Sequence, residues 1–399
     1  AVVHSLIQIK RESFSFGMMH PMYTIRTINT MHRRNFLFQL GTALGLGALP
    51  VLAQAGAGAT PLRVAGGWRM QERDYQIGTL EVDWARSQVT LKHAITVPTL
   101  AHAIVPEPDG GFLAVATRPG TWMMRVDAQG RVANQLAMAD EGSVRTLDGH
   151  VIASLDGSWL YTGETDRKTG DGWVSVRDAR NLRKVAEHRT HGKDPHQILI
   201  DPMGRLVIAN GGIPRDASGD KRNLEHMNPE LVLLNPESGE KLGAWSLRDK
   251  RLAPHHIAWN RPLAGGPLLL GIGLQAEHDD LAQRRDAPLL AVWDGQDLVI
   301  PSQMVADGYA GDVAAGPNGG FVLSAQRANR ILLWQPQEPG KLLTIGKVQN
   351  PCGLWPLTDA PGVAIGGGLG FARWHATEGP SMLRWPSAMA AGNHWALLS

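Results

Sequence analysis

Four segments of the chain begin alike: His102-Ala-Ile104, His150-Val-Ile152, His196-Gln-Ile198 and His255-His-Ile257. Each runs from His-x-Ile into a short apolar stretch and ends at a Pro/Asp/Gly turn such as Asp156-Gly157 or Asp201-Pro-Met-Gly204. Weaker copies follow at Asp312-Val-Ala314, Cys352-Gly-Leu354 and His394-Trp-Ala396. The steps between the seven anchors are 48, 46, 59, 57, 40 and 42 residues, each the length of one four-stranded blade. A period of that size restricts the chain to a repeat architecture, and seven anchors predict an all-β, seven-bladed β-propeller.

The 46 Gly and 25 Pro lie among short apolar runs, as a turn-rich sheet protein requires, and 43% hydrophobic residues suffice for a continuous core. The first repeat reads as strands over 103–105, 111–117, 121–126 and 132–136. Two repeats carry long insertions, 213–229 and 277–287, and loops of that length in a compact repeat are usually functional or disordered. The first follows Asn210-Gly-Gly212 directly and is read as functional. Segments 63–69, 75–82 and 89–97 are three strands without an anchor, while 394–398 is an anchor strand without followers. Joined, they make one blade closed by both termini, which removes the exposed sheet edges.

The N-terminal region reads as a targeting segment. His32-Arg33-Arg34-Asn35-Phe36-Leu37 leads into an uncharged stretch to Ala53 and a small-residue cleavage site at Ala53-Gln54-Ala55. This is the pattern of a twin-arginine signal, a route that carries folded proteins to the periplasm. The competing reading, a membrane anchor, asks for a longer apolar run. Met31 suits the start of that signal, so residues 1–30 read as an over-extended gene start or an added remnant. The expected domains are thus 1–30 outside the fold, 31–55 as signal, and 56–399 as one propeller, monomeric and without membrane association after cleavage. Residues 1–55 hold five basic residues and one acidic, so their removal turns the net charge of +2 into −2 and leaves no electrostatic case for nucleic acid. The single cysteine excludes an intramolecular disulfide.

The innermost strand of each blade lines the central channel, so anchors at the heads of those strands would gather imidazoles at one mouth. The expected ligands are His102, His150, His196, His394 and the pair His255-His256, one of which matches the other anchors. Neutral imidazole suits Fe, Cu, Zn and Ni, and Asp312 and Cys352 at equivalent anchors add a hard and a soft donor. Each second strand returns to the same face, placing Arg69, Arg118, Glu164, Asn210, Gln275 and Gln326-Arg327 around a polar rim. Arg118 and Arg327 suit an anion or a chelate, and Glu164 is the one rim carboxylate available as a general base. His191 is a further rim candidate, while His226 and His278 in the long insertions are expected to be solvent-exposed. The bland alternatives are blade histidines hydrogen-bonded within the sheet, a solvated charged face, and Cys352 as a small buried hydrophobe. Because protons and metal compete for imidazole nitrogen, ligation is expected to weaken as pH falls through about 6.5.

Several stretches also resemble a known family. Gly149-His-Val-Ile-Ala-Ser-Leu-Asp-Gly157, His191-Gly-Lys-Asp-Pro-His196, Ala209-Asn-Gly-Gly-Ile213, Asn223-Leu224 and Met227-x-Pro229-x-Leu231, with the twin-arginine signal, are similar to the periplasmic family called domain of unknown function 1513. The resemblance spans the mature chain and implies a seven-bladed propeller associated with bacterial iron-uptake neighbourhoods, with iron as the metal and periplasmic iron-uptake proteins as partners. It implies no catalytic mechanism. Where that family often has Arg-His, this chain has His255-His256.

Familiar catalytic signatures are absent from the sequence: no Gly-x-Ser-x-Gly, P-loop, Cys-x-x-Cys-His or His-Glu-x-x-His occurs, and Gly366-Gly-Gly-Leu-Gly370 opens no helix. Three readings of function follow: a periplasmic propeller that binds or hands on a metal ion or chelate, a metal-dependent hydrolase or oxidoreductase using the same site, and a metal-free docking platform.

Overall fold

The computed structural model describes residues 61–301, 306–357, 361–377 and 381–398. The proposed extension and the twin-arginine signal lie outside these residues. The described chain folds into seven antiparallel four-stranded sheets arranged as a β-propeller. Six sheets are built from consecutive strands. The seventh has the order Ala390–Leu398, Leu62–Gln71, Asp74–Asp83, Gln88–Val97, so the C-terminal strand is its innermost member.

The pairing that closes the ring is antiparallel, with Arg63 opposite Leu398 and Gly66 opposite Trp395. Gly66 is required there because a Cβ would stand 2.1 Å from the Trp395 ring. Trp395 then stacks on Trp68, with centroids 6.1 Å apart, and on Trp385 of the preceding blade, 4.9 Å away. Together with Leu80, Phe371 and Leu383 these rings form the apolar seam that joins the closing blade to its neighbour.

The burial pattern explains why each run becomes the strand it does. Second strands such as Phe112–Ala116, Leu206–Asn210 and Phe321–Ala325 are buried at every position, and their sequences are near-continuous apolar runs. Outer strands such as Val132–Ala137 have no buried position. Between strands, aspartates fold back on the chain: Asp201 Oδ1 accepts from Met203 N at 2.9 Å and Arg205 N at 2.8 Å, across a turn in which Gly204 has φ +81°. The one α-helix among the described residues, Leu281–Asp286, occupies the second long insertion and starts on Asp280, whose carboxylate accepts from Gln283 N. No helix among the described residues is long and apolar enough to cross a membrane.

The closing strand should dominate stability. Trp395→Ala is expected to lower the unfolding free energy by about 3–5 kcal/mol, the usual cost of truncating a buried aromatic. The exposed Leu155, also changed to alanine, should shift it by less than about 0.5 kcal/mol. Urea unfolding followed by circular dichroism checks both, and equal effects would contradict the closure described here.

Candidate metal centre

The innermost strands share a local irregularity that decides where their side chains point. In Ala101–Pro106 the ladder to the second strand pairs Ala101 with Ala116 and then Ala103 with Val115, leaving His102 without an opposite number. His196 is skipped in the same way between Pro195 and Gln197. In Leu252–Trp259 the gap runs from Pro254 to Ile257, so both His255 and His256 stand opposite Gly273. A bulge inserts an extra residue and re-aims its side chain. Here it turns the imidazoles out of the sheets toward the propeller axis, and both members of the His255-His256 pair go with them.

Six rings converge as a result. His102 Nε2 lies 3.1 Å from His150 Nε2, and His256 Nε2 lies 2.9 Å from both His196 Nε2 and His394 Nε2. The candidate ligand atoms of His102, His150, His256 and His394 all fall within 4.8 Å of one another, as do those of His196, His255 and His256. His255 stacks on His196 with centroids 3.4 Å apart, and its Nδ1 meets His256 Nδ1 at 3.2 Å. Gly149 makes room: its φ is +103°, and a Cβ there would stand 2.6 Å from the His102 ring.

Hydrogen bonding alone cannot satisfy this cluster. An imidazole nitrogen carries either one in-plane lone pair or one in-plane N–H. His256 Nε2 can therefore serve only one of its two close neighbours well, while His196 Nδ1 has no protein partner. A shared cation resolves the crowding, since it accepts several lone pairs at once. At metal–nitrogen distances of about 2.0–2.1 Å, adjacent ligand nitrogens would stand roughly 2.8–3.4 Å apart, the spacing of the pairs His102–His150, His196–His256 and His256–His394.

Electrostatics keeps the lone pairs available. Burial holds the imidazoles of His102, His150, His196, His255 and His256 well below the usual histidine value near 6.5, and their mutual proximity and the Arg118 guanidinium push the same way. On one flank Asp312 faces His394, with Oδ2 3.4 Å from Nδ1. Its position is fixed by Val313 N and Leu354 N, each donating to the carboxylate at 2.8 Å. A carboxylate against the far ring nitrogen orients a ligand histidine and raises its basicity. Asn393 stands in the equivalent place beside His102, 3.3 Å from Nδ1.

On the other flank the cluster is capped by charge. Arg118 contacts His255 Nε2 at 3.2 Å and is anchored by Asp194 at 2.6 Å. Asp194 also receives Arg215 Nε at 2.7 Å, and Lys221 reaches Glu277 at 2.5 Å. Burial works to raise the Asp194 carboxyl, but Arg118 and Arg215 outweigh it and hold it below the ordinary range. Burial dominates at Asp148, which is raised to about 7 despite Arg118. Arg215 and Lys221 come from the 213–229 insertion, which thus lies over this mouth.

The remaining expected site residues divide. Asn210 is buried and donates to Thr190 O, Gln275 donates to Glu277, and Arg327 stacks over Tyr309 on the exposed side of the cap. Glu164 is not on the rim: it is fully buried within its blade, 2.7 Å from Arg177, because its strand pairs it into a sheet interior that a lone carboxylate could not occupy. His191 is exposed on an outer strand and its Nε2 meets Gly239 O at 3.1 Å, away from the cluster. His226 is exposed, as expected, but His278 is half-buried against Asp249 at 2.9 Å. Arg69 sits on the closing-blade strand that pairs with Ala390. Cys352 donates no ligand to the histidine groups; Gln326 Nε2 lies 3.0 Å from its sulfur, and burial with Asp312 nearby pushes its thiol up to about 12. Among residues not singled out from sequence, Asp148 and Asp194 carried a signal: each stands two residues before an anchor histidine, as Asp148-Gly-His150 and Asp194-Pro-His196. Arg215, Lys221 and Glu277 were marked only by lying in the two long insertions, and Tyr309 carried no signal, since the fold brings it to the cap.

Comparison with known proteins supports the architecture. The sequence profile described as "Protein of unknown function (DUF1513)" matches residues 95–398. No curated protein matches. A putative 6-phosphogluconolactonase from Bacteroides uniformis superposes with a TM-score of 0.57 at 11% identity, covering 85% of this chain and 100% of that one. A protein from Lactobacillus plantarum gives 0.57 at 13% identity with the same coverages, 85% and 100%. A catalytically inactive virginiamycin B lyase from Staphylococcus aureus, solved with quinupristin, gives 0.53 at 10% identity over 75% of this chain and 92% of that one. At such identities the likeness is one of fold alone.

The depressed histidines make metal-free stability acid-sensitive. Above about pH 6.5 folded and unfolded histidines are both neutral and contribute no slope, but below it the unfolded chain binds protons that the buried rings refuse. Metal-free protein should therefore lose stability steeply as pH falls from about 6.5 toward 5, by up to about 1.4 kcal/mol per pH unit for each such ring. Urea midpoints measured from pH 8 to 5 check this, and a flat profile would show that the rings are solvated.

Proposed function

We propose that this chain, which belongs to the DUF1513 family as matched over residues 95–398, is a metal-binding β-propeller of the periplasm. In this reading it is exported by the twin-arginine route and holds iron for storage or transfer to iron-uptake partners. The observation that carries it is the placement of His256 Nε2 at 2.9 Å from both His196 Nε2 and His394 Nε2, inside a buried set of imidazoles. The group of His102, His150, His256 and His394 is the favoured seat, because Asp312 lies beside it whereas Arg118 lies beside His255. A cation is drawn to the carboxylate and repelled by the guanidinium. His196 is positioned as a further donor. Imidazole nitrogens with one carboxylate behind them suit Fe(II), Cu(II) and Zn(II) in common. Iron is preferred among them on the family resemblance and the twin-arginine signal, since that route exports proteins already loaded with cofactor.

The protein alone is expected to hold the ion rather than turn over a substrate. The carboxylate offered by sequence as a general base, Glu164, is engaged with Arg177 inside a blade. Asp312 is occupied by two backbone N–H groups and His394.

Calorimetric titration with Fe(II), Cu(II) and Zn(II) tests this. His256→Ala, or His150→Ala with His394→Ala, should weaken binding by more than about a hundredfold, and Asp312→Asn by about ten- to a hundredfold through its effect on His394. His191→Ala and His226→Ala should bind as the unaltered protein does. Because burial already keeps the rings neutral, affinity should hold as pH passes 6.5 and fall only at lower pH, unlike a site of solvated histidines. Unchanged binding in folded His256→Ala would overturn the assignment.

A further inference from the structure

The histidine cluster has two very different approaches. The face toward Arg118 is closed by ion pairs from Asp194, Arg215, Lys221 and Glu277. The opposite face opens on a cavity of about 400 Å³ whose walls include Ile104, Ile152, Ile198, Ile257, Val313 and Leu354, and which ends on His150, His394 and Asp312. The strands explain this contrast: past its histidine the inner strand runs on through branched aliphatic residues, as in His102-Ala-Ile104 and His196-Gln-Ile198. Trp259, Trp355 and Pro356, at the far ends of these strands, frame the outer mouth with the exposed Arg261.

These walls suit neither a hydrated ion nor a water column. The cation-ligating atom of the channel's amide side chain, Gln197 Oε1, is turned onto the sheet, where it accepts from Ile257 N at 2.7 Å beside the bulge at His255-His256. An ion passing this way would lose its hydration without replacement ligands until it reached the histidines. The volume lies within the range of small-molecule sites and exceeds the roughly 150 Å³ that holds one benzene ring.

We propose that this channel binds a small, uncharged organic molecule whose apolar body lies along the aliphatic walls. A single nitrogen or oxygen donor at its tip completes the coordination of the metal held by the histidines. The proposal rests on the metal reading above. It makes the cluster a receptor for an organic ligand of the metal and not only a seat for the bare ion, with access from the aliphatic face.

The test uses protein loaded with Co(II), whose visible bands report a new donor, titrated with imidazole and with 4-phenylimidazole. The two share a donor and differ by an apolar ring. Burying that ring should make 4-phenylimidazole bind at least about tenfold tighter than imidazole. Ala258→Trp, which fills the channel, should lower 4-phenylimidazole affinity at least about tenfold with unaltered Co(II) stoichiometry. Ile152→Ser, which makes the wall polar without filling the channel, should narrow the gap between the two probes. Equal affinities in Co(II)-loaded protein, or a gap untouched by both variants, would overturn the channel site and leave the metal reading standing. Failure of the unaltered protein to take up Co(II) would overturn both.

Discussion

The antiparallel pairing of Ala390–Leu398 with Leu62–Gln71 is the constraint on which the rest depends. It removes the two sheet edges that an open fan of blades would expose, and it buries Trp395 between Trp68 and Trp385. It also delivers His394 to the axis, where that ring is one of the two nearest neighbours of His256. Closure of seven blades sets the width of the axial space, and the bulged strand heads then fill it with imidazoles. Neither device suffices alone. Without closure His394 and Asn393 are missing from the cluster, and without the bulges the rings would lie against the blades.

The cluster is held between a charged cap and an aliphatic channel, and that asymmetry determines its chemistry. Desolvation pushes His102, His150, His196, His255 and His256 toward the neutral form, which is the protonation state that ligates. The same burial crowds the ring nitrogens, so that His256 Nε2 cannot pair well with both His196 and His394 and His196 Nδ1 is left without a partner, a cost that a bound cation would remove. Metal binding and folding would thereby be linked: an ion bound only by the assembled ring would stabilise the folded state, and more so the tighter it binds. Asp312 and Arg118 bias where that ion sits, one attracting and the other repelling.

Much of this was legible in the sequence because a repeat exposes equivalent positions. The spacing of His102, His150, His196, His255 and His394, with Asp312 and Cys352 between the last two, marked out the blade count, and the unpartnered segments at the two ends marked out the closing blade. The bulges were not legible. Strand periodicity alternates faces residue by residue, so it assigned only one of His255 and His256 to the axis. The skipped pairing at Gly273 brings both. Glu164 was misplaced for a related reason: position on a strand does not reveal that Arg177, on the next strand, turns a carboxylate into an internal ion pair. His191, five residues from His196, faces outward because the chain turns between them at Asp194, whose φ is +55°. The cap was half visible, since the 213–229 insertion announced itself by length but not which of its residues would reach Asp194 and Glu277.

X-ray absorption spectroscopy of the protein loaded with Fe(II) measures the central claim most directly, because it reads the atoms around the metal. The account predicts a first shell dominated by at least four nitrogens at about 2.0–2.2 Å, with the outer-shell scattering of imidazole rings. A shell of oxygen or sulfur without imidazole scattering would contradict it.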